Sequence, residues 1–243
     1  MRRFRIATYN IHKGRGMDGR TRVERISRVL GEVEADIVAL QEVVSHDGPS
    51  IEDHQASYLA EKLGYVHAIG ETRKHRGGVY GNVTLSRWEF KLSRHIDLSV
   101  SGREERGVLR TDIRLGRTVL HIFNVHLGTA FLERRKQAVR FIEEDLLKAI
   151  DISGPRVVLG DFNEWTRGLV TRTLSAEFHS TDLCVHLRRV RSYPAGLPLL
   201  HLDHIYFDHH LKVERAMFHR SPLSLMASDH LPLVADLSLG SSE

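Results

Sequence analysis

An α/β fold is what this sequence predicts, and three observations predict it. Short runs of aliphatic and β-branched residues alternate with stretches whose apolar residues recur every three or four positions. The order strand, helix, strand occurs twice, each time with Asn-x-His after the first strand and an acid at the end of the second. Between and after these units lie further short strands punctuated by turn signals, the pattern of antiparallel sheet.

The first unit opens with Phe4 to Ile11 (FRIATYNI), a strand running into Asn10, His12 and the glycine-rich Gly14-Arg15-Gly16. Val23, Ile26, Val29, Leu30 and Val33 then fall at helical spacing behind Thr21 and Glu24, a capping-box pattern. Ala35 to Val43 (ADIVALQEV) reads as a buried strand tipped by Gln41 and Glu42. A parallel strand–helix–strand unit is the economical arrangement.

The second unit repeats the plan. Thr118 to Val125 (TVLHIFNV) ends in Asn124 and His126, and a helix is expected from about Phe131 to Ile150, with Phe131, Val139, Ile142, Leu146 and Ala149 at compatible apolar spacing. Arg156 to Leu159 is a strand that stops at Gly160, Asp161 and Asn163, where α/β folds place their chemistry. On an extended segment Asp161 and Asn163 point to the same side; alternatively they form a turn for local reasons. Two similar halves facing each other would gather these polar strand ends at one rim.

Four shorter strands are expected between the halves: Tyr65 to Ile69, Val83 to Ser86, Phe90 to Ile96 and Gly107 to Arg114. At the end, Leu202 to Phe207 and Ala227 to Leu237 set Asp203, His204, Asp229 and His230 beside apolar strands. No Pro-rich or Ser-rich linker interrupts the chain, so one domain spanning residues 1–243 is expected.

Composition bounds the function. The 243 residues carry 27% charged side chains, a net charge of +4 and 16 histidines, a balance that suits anionic partners. A lone Cys184 leaves no internal disulfide and no thiolate zinc site, which fits a reducing compartment. The charged Met1-Arg2-Arg3-Phe4-Arg5 start is not followed by an apolar signal region, and no run approaches the roughly 20 apolar residues of a membrane span. A cytoplasmic protein acting as a monomer is the expectation.

The strand ends together offer Asn10, Glu42, His126, Asp161, Asn163, Asp203, Asp229 and His230, a set of hard oxygen donors and imidazoles that favours Mg²⁺, Mn²⁺ or Ca²⁺. In order, TYNIH, LQEV, GNVTLSR, RGVLR, NVHLG, GDFN, LDHI and SDHLPL resemble the endonuclease/exonuclease/phosphatase superfamily over Tyr9 to Leu233. The resemblance implies a four-layer α/β sandwich, two mixed sheets packed face to face with helices outside.

It also implies a metal site on Glu42 with Asn10 and Asp229 close by, holding Mg²⁺ with Mn²⁺ as substitute. A His230–Asp203 pair is implied in which the carboxylate fixes the imidazole, with Asp161 and Asn163 positioning the attacking water. His126 and Asn82 would bind non-bridging phosphate oxygens, and Arg106 would add a charged fork. The implied reaction is in-line attack of water on a phosphodiester, with nucleic acid the first expected substrate and a phospholipid or small phosphoester the alternative. His12 departs from an acid common at this place in abasic endonucleases, and is left to touch phosphate or cap the strand. Specificity is expected from rim loops: Arg73-Lys74-His75-Arg76-Gly77-Gly78, the cluster Arg188, Arg189 and Arg191, the apolar Leu197-Pro198-Leu199-Leu200, and Trp165, which either stacks on substrate or packs.

Overall fold

The structure is a computed structural model and describes residues 2–46, 48–49, 53–75, 77–142, 152–165, 168–181 and 191–240. In the first half, β1 (Arg3–Asn10) leads through a short 3-10 turn, His12–Gly14, to α1 (Val23–Val33) and β2 (Ile37–Ser45). After α2 (Gln55–Leu63) come β3 (Val66–His75), β4 (Gly78–Ser86), β5 (Phe90–Asp97), β6 (Gly107–Leu115) and β7 (Thr118–His126). Then follow α3 (Phe131–Val139), β8 (Arg156–Asp161), α4 (Leu169–Glu177) and β9 (His179–Ser180). The chain closes with β10 (Asp203–Phe207), β11 (Leu211–Phe218), α5 (Ser224–Ala227) and β12 (Leu233–Leu239).

Two mixed six-stranded sheets result, ordered β11-β12-β1-β2-β4-β3 and β5-β6-β7-β8-β10-β9. At the centre of each lies one parallel pair, β1 with β2 and β7 with β8, flanked by antiparallel strands. The two predicted strand–helix–strand units are these central pairs. The sheets pack face to face on Phe4, Ile6, Ile37, Ala39, Leu120, Ile122, Val157, Leu159, Ile205 and Phe207, among others. Separate apolar layers sit outside: α1 and α2 cover the first sheet, and α3 and α4 cover the second.

Strand periodicity explains where the polar residues go. Side chains two apart share a face, so the rows between the sheets read Phe4, Ile6, Thr8, Asn10 on β1 and Ile37, Ala39, Gln41 on β2. On the second sheet they read Leu120, Ile122, Asn124, His126 on β7 and Val157, Leu159, Asp161 on β8. β10 runs the other way, from Asp203 to Ile205 and Phe207. Each row is apolar at one end and polar at the other, so the inter-sheet core ends in a polar rim.

Several expectations need correction. Thr21 and Glu24 do not form a capping box: α1 starts after Arg22 without a side-chain cap, and Thr21 instead bridges back to Arg15. The expected helix from Phe131 is described as far as residue 142, continuing past α3 in a looser turn, while Leu146 and Ala149 lie outside the described residues. Phe131 and Val139, expected to face the core, are exposed, and Glu133, Arg134, Gln137 and Ala138 are buried instead. In the segment from Ala227 to Leu237, Asp229 and His230 stand beside an apolar strand as expected, on the loop between α5 and β12. The elements α2, α4 and β11 were not anticipated; the last completes an edge by pairing β12 from Leu211↔Leu239 to Phe218↔Leu233.

Candidate active site

The deepest point of the rim is Asp161, the last residue of β8 and almost wholly buried. It pairs in register with His126 of β7 and Asp203 of β10. Gly160 makes this possible: its φ is 148°, and a Cβ there would meet the Val125 carbonyl oxygen at 1.9 Å. No other residue tolerates both the dihedral and the approach of β7.

Three nitrogens converge on one oxygen of Asp161. The Asn10 amide donates to Oδ2 at 3.0 Å, His230 Nε2 lies 3.7 Å from it and His126 Nε2 lies 3.9 Å from it. The other oxygen, Oδ1, accepts the Asn163 backbone N–H at 2.9 Å. Burial first, and then the Asp203 charge, raise the Asp161 carboxyl above the ordinary range, against the opposing pull of His230. His230 Nδ1 is 2.9 Å from Asp203 Oδ2. Burial would push the His230 ring towards neutrality, but Asp203 and Asp161 outweigh it and raise its affinity for a proton. The ring therefore carries its proton with Nε2 turned to Asp161. His126 behaves oppositely: burial and the Arg106 charge hold it down at about 3, so it is neutral near pH 7.

A second cluster adjoins the first through Asn10, whose amide nitrogen is also 3.2 Å from Glu42 Oε1. Strand parity alone would turn Glu42 away from the sheet interface. A register shift between Leu40 and Val43 and a φ of 57° re-aim it to the rim. Burial opposes ionisation of Glu42, yet the charges of His126, Lys13 and His12 and the Asn10 hydrogen bond hold it at about 2. Because His126 is neutral near pH 7, Lys13 is the main cation acting there, with Nζ 3.4 Å from Glu42 Oε2.

His12 and Lys13 reach back over the acids through positive φ angles of 46° and 60°, conformations that cost about 1 kcal/mol or more each. His12 Nδ1 is 3.5 Å from Asp229 Oδ1, and its backbone N–H donates to Asn10 Oδ1 at 3.0 Å. Ser228, beside Asp229, donates to the Asn10 carbonyl at 2.8 Å and accepts the His230 N–H at 3.3 Å. Glu42, Asn10, Asp161, His230, Asp203, His126, His12 and Asp229 thus form one continuous network. Ser228, Lys13 and Tyr193, whose ring centre is 5.0 Å from that of His230, join it without having been singled out in the sequence. Ser228 precedes Asp229 in the SDHLPL motif, which was the available signal.

Two of the expected site residues, Asn82 as a phosphate ligand and Asn163 as a water-positioning group, turn their amides to backbone carbonyls. Asn82 donates both amide hydrogens to backbone carbonyls, Gly107 O and Asn124 O, each at 3.0 Å, and so ties the two sheets together with none left for a phosphate oxygen. Asn163 has a φ of 49° and turns its amide to the Leu127 carbonyl at 2.9 Å, so strand alternation with Asp161 does not hold and the turn reading is the correct one.

Arg106 is buried, not solvated. It donates to Glu104 at 2.8 Å, while its Nε and Nη1 find no hydrogen-bond partner among the described residues. Glu104 also holds Arg73 at 3.1 Å, and Arg73 lies over the Tyr80 ring. The basic loop is thus the tip of the β3–β4 hairpin, although Arg76, like Arg188 and Arg189, lies outside the described residues. Leu197, Leu199 and Trp165 are exposed, and Trp165 faces the Arg134 guanidinium.

The donor set suits a hard divalent cation. Glu42 is ionised, Asp229 and the Asn10 carboxamide offer further oxygens, and a cationic side chain already lies against Glu42. Asp161, Asp203 and His230 also place one ligand atom each within 4.8 Å of one another, but there the imidazole is engaged by Asp203.

Comparison with known proteins places the chain by family and by fold. The Endonuclease/Exonuclease/phosphatase family matches residues 7–230. The chain is 31% identical over 249 aligned positions to the Escherichia coli K12 protein YbhP, covering 97% of this chain and 96% of that one. A Bacteroides vulgatus endonuclease/exonuclease/phosphatase crystal structure superposes with a TM-score of 0.80 at 20% identity, covering 99% of this chain and all of the other (100%). A Bacteroides thetaiotaomicron mannosyl-6-phosphatase superposes with a TM-score of 0.75 at 16% identity over 97% and 100% of the chains. The last two likenesses are of fold.

Proposed function

The chain belongs to the Endonuclease/Exonuclease/phosphatase family, a phosphoesterase family generally dependent on divalent metals, and on that premise we propose that it hydrolyses a phosphodiester by in-line attack of water. The observation that carries this reading is the convergence of Asn10, His126 and His230 on one buried oxygen of Asp161, with His230 backed by Asp203.

Asp161 has the affinity for a proton that a general base needs, and two donors, Asn10 and the Asn163 N–H, orient it. Its role is to accept the proton of the attacking water. His230, kept protonated by two carboxylates, donates from Nε2 to a non-bridging oxygen and offsets the charge that grows as the bond to the leaving oxygen breaks. Neutral His126 adds a second donor, and the Arg106 guanidinium, whose Nε and Nη1 have no partner among the described residues, adds a charged one. Glu42, Asn10 and Asp229 are the residues that would hold Mg²⁺ or Mn²⁺, which when bound neutralises the scissile phosphate and the leaving oxygen.

Nucleic acid is the first substrate, supported by the basic hairpin and Arg106. A phospholipid or other small phosphoester is the second reading, favoured by the exposed Leu197 and Leu199 on the loop that starts at Tyr193, beside His230. The test is a panel of plasmid DNA, RNA, phospholipid vesicles and a soluble bis-aryl phosphodiester with Mg²⁺, Mn²⁺ or chelator. Turnover that needs the metal and disappears in Asp161→Asn and His230→Ala is expected. Equal turnover in those variants would overturn the assignment.

A further inference from the structure

The helix α3 is built inside out. Its inward residues are Glu133, Arg134, Gln137 and Ala138, whereas Phe131, Leu132 and Val139 point outward and are 57%, 69% and 42% exposed. Between them on the outward side stand Arg135 and Lys136, with Arg140 just beyond. Among the described residues no acid of the segment 131–142 shares that side, and Arg140 also acts on the exposed Asp97 of β5. Trp165, 58% exposed, lies against Arg134 on the flank towards the site, 6.0 Å from its guanidinium carbon.

The polar inner face is accounted for. Gln137 accepts the Gly128 N–H at 2.9 Å, and Arg134 donates to the Gly128 carbonyl at 3.2 Å and to that of Thr129. These bonds fasten the inward face of α3 to the segment directly after His126. The exposed apolar side chains of the outward face have no such internal explanation. Three large apolar groups held in water, interleaved with three cations, are a costly surface unless something covers them.

We propose that this face docks on an anionic lipid bilayer, with Phe131, Leu132 and Val139 entering the headgroup region and Arg135, Lys136 and Arg140 meeting lipid phosphates. The charge pattern selects this occupant. A second copy of the chain meeting the same face about a twofold axis would set three cations against three cations. A nucleic-acid backbone would satisfy the cations but leave the leucine, valine and phenylalanine facing phosphate and water. An anionic bilayer rewards both sets at once. The inference rests on α3 and is independent of the phosphoesterase reading.

The experiment is co-sedimentation of the full chain with vesicles of phosphatidylcholine alone or with one third phosphatidylglycerol, at low and high salt. Binding to the anionic vesicles at low salt, weakened by salt and absent on the neutral ones, is expected. Arg135→Gln with Lys136→Gln should lower that partitioning roughly thirtyfold, the effect of two basic side chains at a negative membrane surface. Leu132→Ser with Val139→Ser should also lower it, and both pairs should keep the wild-type melting temperature and the turnover of a soluble bis-aryl phosphodiester. No binding of the wild type to anionic vesicles, or undiminished binding by both variants, overturns the proposal. So does either alternative occupant in place of vesicle binding: a dimer in light scattering that Leu132→Ser dissolves, or affinity for duplex DNA that Arg135→Gln with Lys136→Gln abolishes. Retained soluble turnover with lost vesicle binding separates this question from that of the active site.

Discussion

Asn10-Ile11-His12 and Asn124-Val125-His126 look like the same motif in two halves of the chain, yet the fold uses them differently. In the first, β1 ends at Asn10, so Asn10 reaches Asp161 and His12 lies beyond the strand in a tight turn. In the second, β7 runs two residues further, so Asn124 is sealed between the sheets and His126 takes the strand-final place. Asn124 donates to Leu40 O and Val83 O at 3.1 and 2.9 Å and accepts the Gln41 amide at 2.8 Å, all across the sheet interface. The true counterparts are therefore Asn10 and His126, both strand-final and both directed at the same oxygen of Asp161. A spacing shared by two segments identifies a duplicated plan, but the position of the strand end decides which member reaches the rim.

The largest effect that sharpens this comparison lies at the point where the halves meet. Asp161→Asn keeps the size of the side chain and removes the proton acceptor, so turnover should fall about 10³-fold, in the range of general-base loss. Steady-state rates on a bis-aryl phosphodiester, with a thermal melt to verify folding, would measure it.

The next pair breaks the comparison directly. Asn10→Ala should cost about 10²-fold in rate by loosening Asp161 and Glu42, with modest loss of stability. Asn124→Ala should do the reverse: it takes the Asn124 donor from two buried carbonyls and leaves the Gln41 amide with Thr8 and Ala39 alone, for a loss of about 3 kcal/mol, while the folded fraction keeps most of its rate. Denaturant midpoints and active-site titrations distinguish the two. Similar phenotypes would mean that the halves are used alike after all.

A smaller effect belongs to the first half alone. Lys13 is 3.4 Å from Glu42 and partly exposed, so it competes with a divalent cation for the carboxylate. Lys13→Ala should lower the Mg²⁺ concentration for half-maximal rate by several-fold after chelator treatment, and a rise instead would place the cation elsewhere.

The smallest effect belongs to the second half, where Asp112 bonds Arg110 and His121 on β6 and β7 at 2.9 and 2.8 Å. Burial raises this carboxyl, but the His121 and Arg110 hydrogen bonds outweigh it and leave it below the ordinary Asp value. A lowered folded-state value stabilises the protein above the unfolded-state pKa and ceases to do so as pH falls through the folded one. The gap in melting temperature between wild type and Asp112→Asn should therefore be full near pH 6 and narrow in strong acid. A constant gap would show that Asp112 acts through packing and not through charge.

By itself the sequence determined the two central strand–helix–strand pairs, the apolar rows between the sheets and the motifs GDFN and SDHLPL, because local periodicity and residue chemistry need no knowledge of partners. It also marked Asp161, His230, Asp203, Asn10 and Glu42 as a site, from residue type at strand ends. Only the tertiary structure decided that Glu42 is turned inward by a bulge, that Asn163 belongs to a turn and that Asn82 and Asn124 spend their amides between sheets. The same holds for Lys13 returning over the acids and for α3 facing its apolar side outward. These outcomes depend on backbone register and on hydrogen-bond partners far away in the chain, and neither quantity is encoded in a residue's near neighbours.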